Sequence, residues 1–215
     1  AQAKQWQNQG LPELCMAVNV SARQFHEGNI LELVMNTLSE TGLEPHLLEI
    51  EVTESSVMQD PEAALLILKK LQDIGVRVSL DDFGTGYSSL AYLNKLPIEV
   101  LKIDRSFINT IPNSDDNDAI VKSIFSMAHT LGLEVVAEGV ETESECRTVH
   151  NLGLRLCQGF YFGKPQKRPV VKNLLKLDTE HTATVSLGKV GSLSTYVAPI
   201  TSRTPLKEVV KAFST

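Results

Sequence analysis

Four times in 215 residues a helical stretch closes on glycine and a short β-branched run follows. ILELVMNTLSETG precedes LLEIEVTES, PEAALLILKKLQDIG precedes VRVSLDDFG, AIVKSIFSMAHTLG precedes LEVVAEGVE, and SECRTVHNLG precedes RLCQGFYFG. Each glycine (Gly42, Gly75, Gly132, Gly153) stands where a helix ends in left-handed geometry. CMAVNVS and IEVLKID supply two more strands, so about six β-units are expected. Strands this apolar suit a parallel sheet covered by helices rather than a sheet with one wet face. Two architectures remain, an open doubly wound sheet and most of a (β/α)8 barrel.

The polar residues favour the barrel. Nearly every strand ends on one: Asn19, then Glu51 with Glu54, Asp81 with Asp82, Lys102 with Asp104, Glu138 with Glu141, and Gln158. Barrel enzymes gather such groups from many strand ends at one mouth, whereas an open sheet gathers them at a single switch point. Each signal has a plainer reading. Glu49 shares the strand parity of Glu51, so parity does not choose between them. Asn19 and Ser21 suit a helix cap, Arg23 and Gln24 suit either a cap or a substrate contact, and Tyr161 and Phe162 read as core. The acidic run NSDDNDAI at 113–120 reads as a solvated loop with a helix cap.

Composition narrows the function classes. Hydrophobic residues make up 42% of the chain and charged residues 21%, enough to bury a core, and the net charge is −6 without a basic stripe. That excludes a protein gripping long DNA or RNA by its backbone. Cys15, Cys146 and Cys157 form neither a disulfide framework nor a zinc pattern, which fits a reducing cytosol. The five histidines have no metal-ligand spacing, and no apolar run spans a bilayer or marks a signal peptide. The fragment is expected to make no membrane contact, with a membrane-anchored parent left open. Its opening, AQAKQWQNQG, reads as an amphipathic helix closed by Gly10 with Trp6 on a core face, as in a piece of a longer protein.

Carboxylates and an amide converging on one mouth repel unless divalent cations neutralise them, and hard oxygen ligands suit Mg²⁺ or Mn²⁺. A pair of ions, bridged by Asp81 with Asp82 on the second, would explain two adjacent aspartates; two-metal sites run displacement at phosphorus. Lys102 would orient the attacking water or offset phosphoryl charge. An enolase-like lyase is the alternative chemistry, needing often a single ion. DFG alone suggests a kinase magnesium loop, but its companion motifs are missing.

VNVSARQF, EVTES, DDFGTGYSSL, LKIDRSF, AEGVET and QGFYFGKP, in that order, resemble EAL-domain cyclic di-GMP phosphodiesterases over roughly residues 1–170. The resemblance implies a TIM-type barrel with one antiparallel strand, and Mg²⁺- or Mn²⁺-dependent hydrolysis of cyclic di-GMP to linear pGpG in the bacterial cytoplasm. It implies Asn19, Glu51, Asp81 and Asp82 as metal ligands and Lys102, Glu138 and Gln158 as catalytic groups. Gln158 and Arg23 would touch substrate, Glu54 would anchor the loop after Asp82, and Asp104 and Glu141 would support it. That loop, Phe83 to Ser89, is implicated in a homodimer. The Glu-Ala-Leu motif that names the family is not found: PEAALL at 61–66 reads as a helix start with Pro61 in its first turn. The naming strand is therefore expected upstream, leaving an incomplete barrel, and an inactive cyclic di-GMP receptor stands as the second functional reading.

After Pro169 the rhythm stops. The barrel is expected to end near 172–180, with residues 1–172 as the phosphodiesterase domain and 173–215 as a linker. In that tail, TPLKEVVKAF, with Thr204 capping and Pro205 following, has a limited resemblance to the start of a CBS domain.

Overall fold

The computed structural model describes residues 1–26, 28–85, 90–111 and 115–181, with backbone alone at 90, 91, 115–117, 174 and 176–181. The expected CBS-like start, including Thr204 and Pro205, lies outside them. Six strands form one sheet in chain order: β1 (Met16–Val20), β2 (Leu48–Thr53), β3 (Arg77–Phe83), β4 (Val100–Ile103), β5 (Glu134–Ala137) and β6 (Leu156–Cys157). All five pairings are parallel. The antiparallel strand implied by the resemblance is not among these six. Neither is β1 paired with β6, so the described strands are an incomplete TIM-type barrel with two edges.

Helices fill the crossovers that parallel pairing demands. In chain order they are α1 (Gln2–Gln7), α2 (Ala22–His26), α3 (Ile30–Thr41), α4 (Glu54–Gln59), α5 (Pro61–Ile74), α6 (Leu90–Leu93), α7 (Arg105–Ile108), α8 (Asp115–Thr130), α9 (Glu143–Asn151) and α10 (Arg168–His181). Local chemistry sets their ends. The Asp60 carboxylate accepts from Ala63 N at 3.1 Å with Pro61 in the first turn, so PEAALL opens α5 as its sequence indicates. Thr142 and Glu145 form a reciprocal capping box on α9. Gly75 ends α5 at φ 93°, a backbone angle that strains any other residue.

The strands are two-sided, with apolar residues on one face and polar residues on the other. Alternate residues Val18, Val20, Ile50, Val52, Val78, Leu80, Leu101, Ile103, Val135 and Ala137 are buried in the main core that the helices cover. The residues between them include Asn19, Glu49, Glu51, Arg77, Ser79, Asp81, Lys102 and Glu134, on the opposite face. Most of these are buried too. A sequence reader sees apolar runs because the inward face is enclosed rather than wet; its polar groups satisfy one another.

At the amino-terminal end of the strands, the Arg77 guanidinium lies 2.7 Å from Glu134, 3.1 Å from Glu99 and 3.9 Å from Glu49. One side chain on β3 thus ties β2, β5 and the residue before β4. A second, smaller core holds Trp6, Leu14, Val171 and Leu175, so α10 packs on the region of α1. Arg168 donates to Gln2 at 3.2 Å and Lys172 to Gln9 at 2.6 Å across the same contact. The expected domain limit at 172 falls inside α10, whose Leu175 is still buried.

Arg77→Ala strips the buried Glu49 carboxylate of its cation and should lower unfolding free energy by about 2 kcal/mol in urea titrations. Arg77→Lys should restore only part, because one ammonium cannot reach three carboxylates in a fork geometry. Equal stability of wild type and Arg77→Ala would show that the cluster contributes nothing.

Candidate active site

Parallel register carries the polar inward residues to one end. Asn19 pairs with Glu51, and Thr53 with Asp81. Between β3 and β4 the register slips: Leu80 faces Leu101, but Phe83 faces Ile103. Asp81 and Asp82 therefore share the place opposite Lys102 alone, a β-bulge. Asp82 takes up the extra residue at φ 56°, the one positive φ outside glycine among the described residues. In a regular strand neighbouring side chains point to opposite faces. Here the bulge turns both aspartates the same way, and one ligand oxygen from each of Asp81, Asp82 and Glu138 lies within 4.8 Å of the others.

Lys102 stands inside this group with its side chain 4% exposed. Its Nζ is 2.6 Å from Glu138, 2.7 Å from Glu51 and 3.5 Å from Asp81. Burial alone would lower its pKa, but those carboxylates outweigh burial and hold it above the ordinary lysine range. The acids pay the opposite way. Burial pushes Glu138 from 4.5 up to about 7 despite Lys102, with Asp81 adding to the rise. Glu51 is raised by burial against the pull of Lys102. Asp82 is raised by burial and then by Asp81 and Asp104. Four carboxylates around one ammonium leave the site short of positive charge.

That shortage, with the all-oxygen donor set, fits divalent cations. Glu51 uses Oε1 on Lys102, and its buried Oε2 has no hydrogen-bond partner, so a ligating oxygen is available.

The surrounding residues sort themselves by contact. Glu54 is 1% exposed and its Oε2 accepts from Gly84 N at 2.9 Å, tying α4 to the start of the loop after Asp82. Residues 86–89 of that loop, and with them the expected dimer contact, lie outside the described residues. Asp104 caps α7 by accepting from Ser106 N at 2.9 Å. Glu141 pairs with Arg105 at 2.9 Å. Gln158 follows β6 directly; its N–H donates to Ala137 O at 2.8 Å, which sets it beside the strand leading to Glu138. Of the pair left open in the sequence, Gln24 is a cap: its Oε1 accepts from Ser21 N at 3.1 Å and Ser21 Oγ at 2.8 Å. Arg23, on the same short helix, is exposed. The expectation that Tyr161 and Phe162 are core residues fails, for each is 45% exposed. With β6 only two residues long, the chain turns before these rings can reach the helices.

Fold and site together define a barrel-type sheet whose acids gather at the carboxyl ends of parallel strands, in a group that could hold a metal ion. The chain belongs to the EAL domain family, whose sequence profile matches residues 1–165. It is 47% identical over 164 residues to the bifunctional diguanylate cyclase/cyclic di-GMP phosphodiesterase MucR of Pseudomonas aeruginosa, covering 76% of this chain and 24% of that protein. A MucR phosphodiesterase structure in complex with c-di-GMP is 45% identical, with a TM-score of 0.76 over 79% of this chain and 69% of that one. The manganese/c-di-GMP complex of Klebsiella pneumoniae BlrP1 is 36% identical, with a TM-score of 0.64 over 69% of this chain and 38% of that one. This chain thus spans about a quarter of the length of MucR.

The raised Glu138 has a consequence for stability. The folded chain binds its proton more tightly than the unfolded chain, so the stabilisation is full below pH 4.5 and lost as pH rises through about 7. The melting temperature of the metal-free protein should fall across that window, and Glu138→Gln should flatten the fall. An unchanged slope in Glu138→Gln would place the titration elsewhere.

Proposed function

We propose that this chain carries the hydrolytic site of a cyclic di-GMP phosphodiesterase, producing linear pGpG with two Mg²⁺ or Mn²⁺ ions. The observation that carries the reading is the meeting of Asp81, Asp82 and Glu138 within 4.8 Å around a buried Lys102. Membership of the EAL family supports it, as do relatives whose names or titles give c-di-GMP hydrolysis or binding. No helix among the described residues is long and apolar enough to cross a membrane, and we place the reaction in the cytoplasm.

Asn19, Glu51, Asp81 and Asp82 would hold the cations, which when bound polarise the phosphodiester and acidify water. Lys102 stays protonated in the grip of its carboxylates, offsetting charge that develops on phosphoryl oxygens. Glu138, held near neutrality, is suited to accept a proton at its carboxylate from the attacking water. Gln158, whose backbone is bonded to that strand, would orient substrate with its side-chain amide, with Arg23 as a further contact. Glu54 keeps the backbone after Asp82 in place, and Asp104 and Glu141 fix the neighbouring loops.

The test is conversion of cyclic di-GMP to pGpG followed chromatographically with Mn²⁺, Mg²⁺ or chelator. Chelator should abolish turnover, and Glu138→Gln or Asp81→Asn should lower kcat by about 10²–10⁴-fold. Tight binding of the dinucleotide by the wild type without any product would make this a receptor instead, which is the second functional reading of the sequence. Neither binding nor turnover would end both.

A further inference from the structure

The segment after β5 is held from α7 by contacts that the chemistry above leaves unused. Glu138 follows β5 directly, and its N–H donates to Ile103 O at 3.1 Å, so its backbone still follows the sheet. One residue on, Gly139 turns the chain at φ 69°. A Cβ at 139 would lie 2.4 Å from Cγ and 2.6 Å from Cβ of Arg105, because the aliphatic stem of Arg105 lies over the glycine. The backbone angle and the stem above it both exclude a side chain there.

The Arg105 guanidinium adds two polar contacts. Its Nη2 lies 2.9 Å from Glu141 Oε1. Its Nε donates to the Asn109 side-chain oxygen at 2.8 Å, and the Asn109 amide nitrogen donates to Gly139 O at 3.2 Å, in the amide orientation that satisfies both partners. Arg105 opens α7 and Asn109 follows its last residue, with Asn109 N donating to Arg105 O at 3.0 Å. On β4, just before this helix, Lys102 meets the Glu138 carboxylate at 2.6 Å. Residues 102–109 therefore grip Glu138 at its carboxylate, at its N–H and at the turn beyond it.

Stability does not explain this seam. The Arg105 side chain is 52% exposed and that of Glu141 34%, and ion pairs open to water contribute little to folding. What the seam supplies is direction. A carboxylate that takes a proton from water must stand within hydrogen-bond reach of it, and small displacements of such a group cost rate. The ion pair with Lys102 fixes a distance, but a compact ammonium leaves the carboxylate free to swing about it. The backbone on either side of Glu138 has to fix the swing. We propose that Arg105 and Asn109 are positioning residues for Glu138: by holding the turn at 139–141 they set the direction from which its carboxylate meets the attacking water. This rests on the reading of Glu138 as the proton acceptor given above.

Steady-state turnover of cyclic di-GMP by the full chain with Mn²⁺, with kcat and KM read separately beside Mn²⁺ affinity and melting temperature, provides the test. Asn109→Ala and Arg105→Ala should each lower kcat by about 10-fold, with KM, Mn²⁺ affinity and melting temperature close to wild type. Arg105→Lys keeps the stem over Gly139 and a cation for Glu141, and should recover part of the loss. Arg147→Ala, which removes an exposed ion pair with Glu143 on α9, should change nothing. In a Glu138→Gln background, where no carboxylate is left to aim, Asn109→Ala should cost no further rate. Equal kcat in Asn109→Ala and wild type overturns the proposal, as does the same loss with and without the Glu138 carboxylate, or a fall in Mn²⁺ affinity that accounts for the rate. Wild-type turnover beside any of these leaves the hydrolytic reading standing, whereas a wild type that turns nothing over removes that reading and this proposal together.

Discussion

A single buried ammonium holds the inner face of this sheet together. Remove the charge of Lys102 and Glu51, Asp81 and Glu138 face one another in a low-dielectric space, where like charges repel strongly. With it, β2, β3 and β4, and the residue after β5, are drawn to a common point. Arg77 does the same one level down, between Glu49, Glu99 and Glu134. The enclosed face therefore holds two cations stacked along the strands, each ringed by acids. The lower set also has three carboxylates to one cation, but Glu99 and Glu134 are exposed and screened by water. The upper set is enclosed, and Asp82 adds a fourth carboxylate to it. Protons or metal ions must supply the remainder; burial first, and Asp81 beside them second, push Glu138, Glu51 and Asp82 toward the protonated form.

The bulge in β3 converts an ordinary strand into a ligand platform. Two acids in sequence on a regular strand would straddle the sheet, with one of them thrust into the helix-covered core at a heavy desolvation cost. The slip between Leu80 and Phe83 avoids this, and Phe83 resumes the apolar alternation in the core. Glu54 then takes the next backbone N–H, at Gly84, so the irregular stretch is bonded on its far side. A strained φ at Asp82 is tolerable because the chain is fixed before and after it.

Much of this was legible in the sequence. The helix–glycine–strand rhythm gave the strand count, and polar residues at strand ends gave the mouth, since both follow from periodicity. The start of α5 was visible because Pro61 acts locally, although its Asp60 cap was not read. What was hidden is non-local. Nothing in VSLDDFG announces that the register slips after Leu80, because a bulge depends on the neighbouring strand. The role of Arg77 required knowing that Glu49, Glu99 and Glu134 arrive at one place from three segments. Glu51 and Glu49 were indistinguishable by parity because both do face inward; only their different levels, beside Lys102 and Arg77, separate them.

The exposed rings were misjudged for a related reason. Hydrophobicity predicts burial only where an element is long enough to deliver the side chain to the core, and β6 ends after Cys157. Beyond it, backbone bonds to Val140 decide where the chain goes. Those bonds join the aromatic loop to the Glu138–Val140 turn, so a displacement of one must be felt by the other. Gly159 permits that contact, because a Cβ there would sit 2.0 Å from the Val140 carbonyl oxygen.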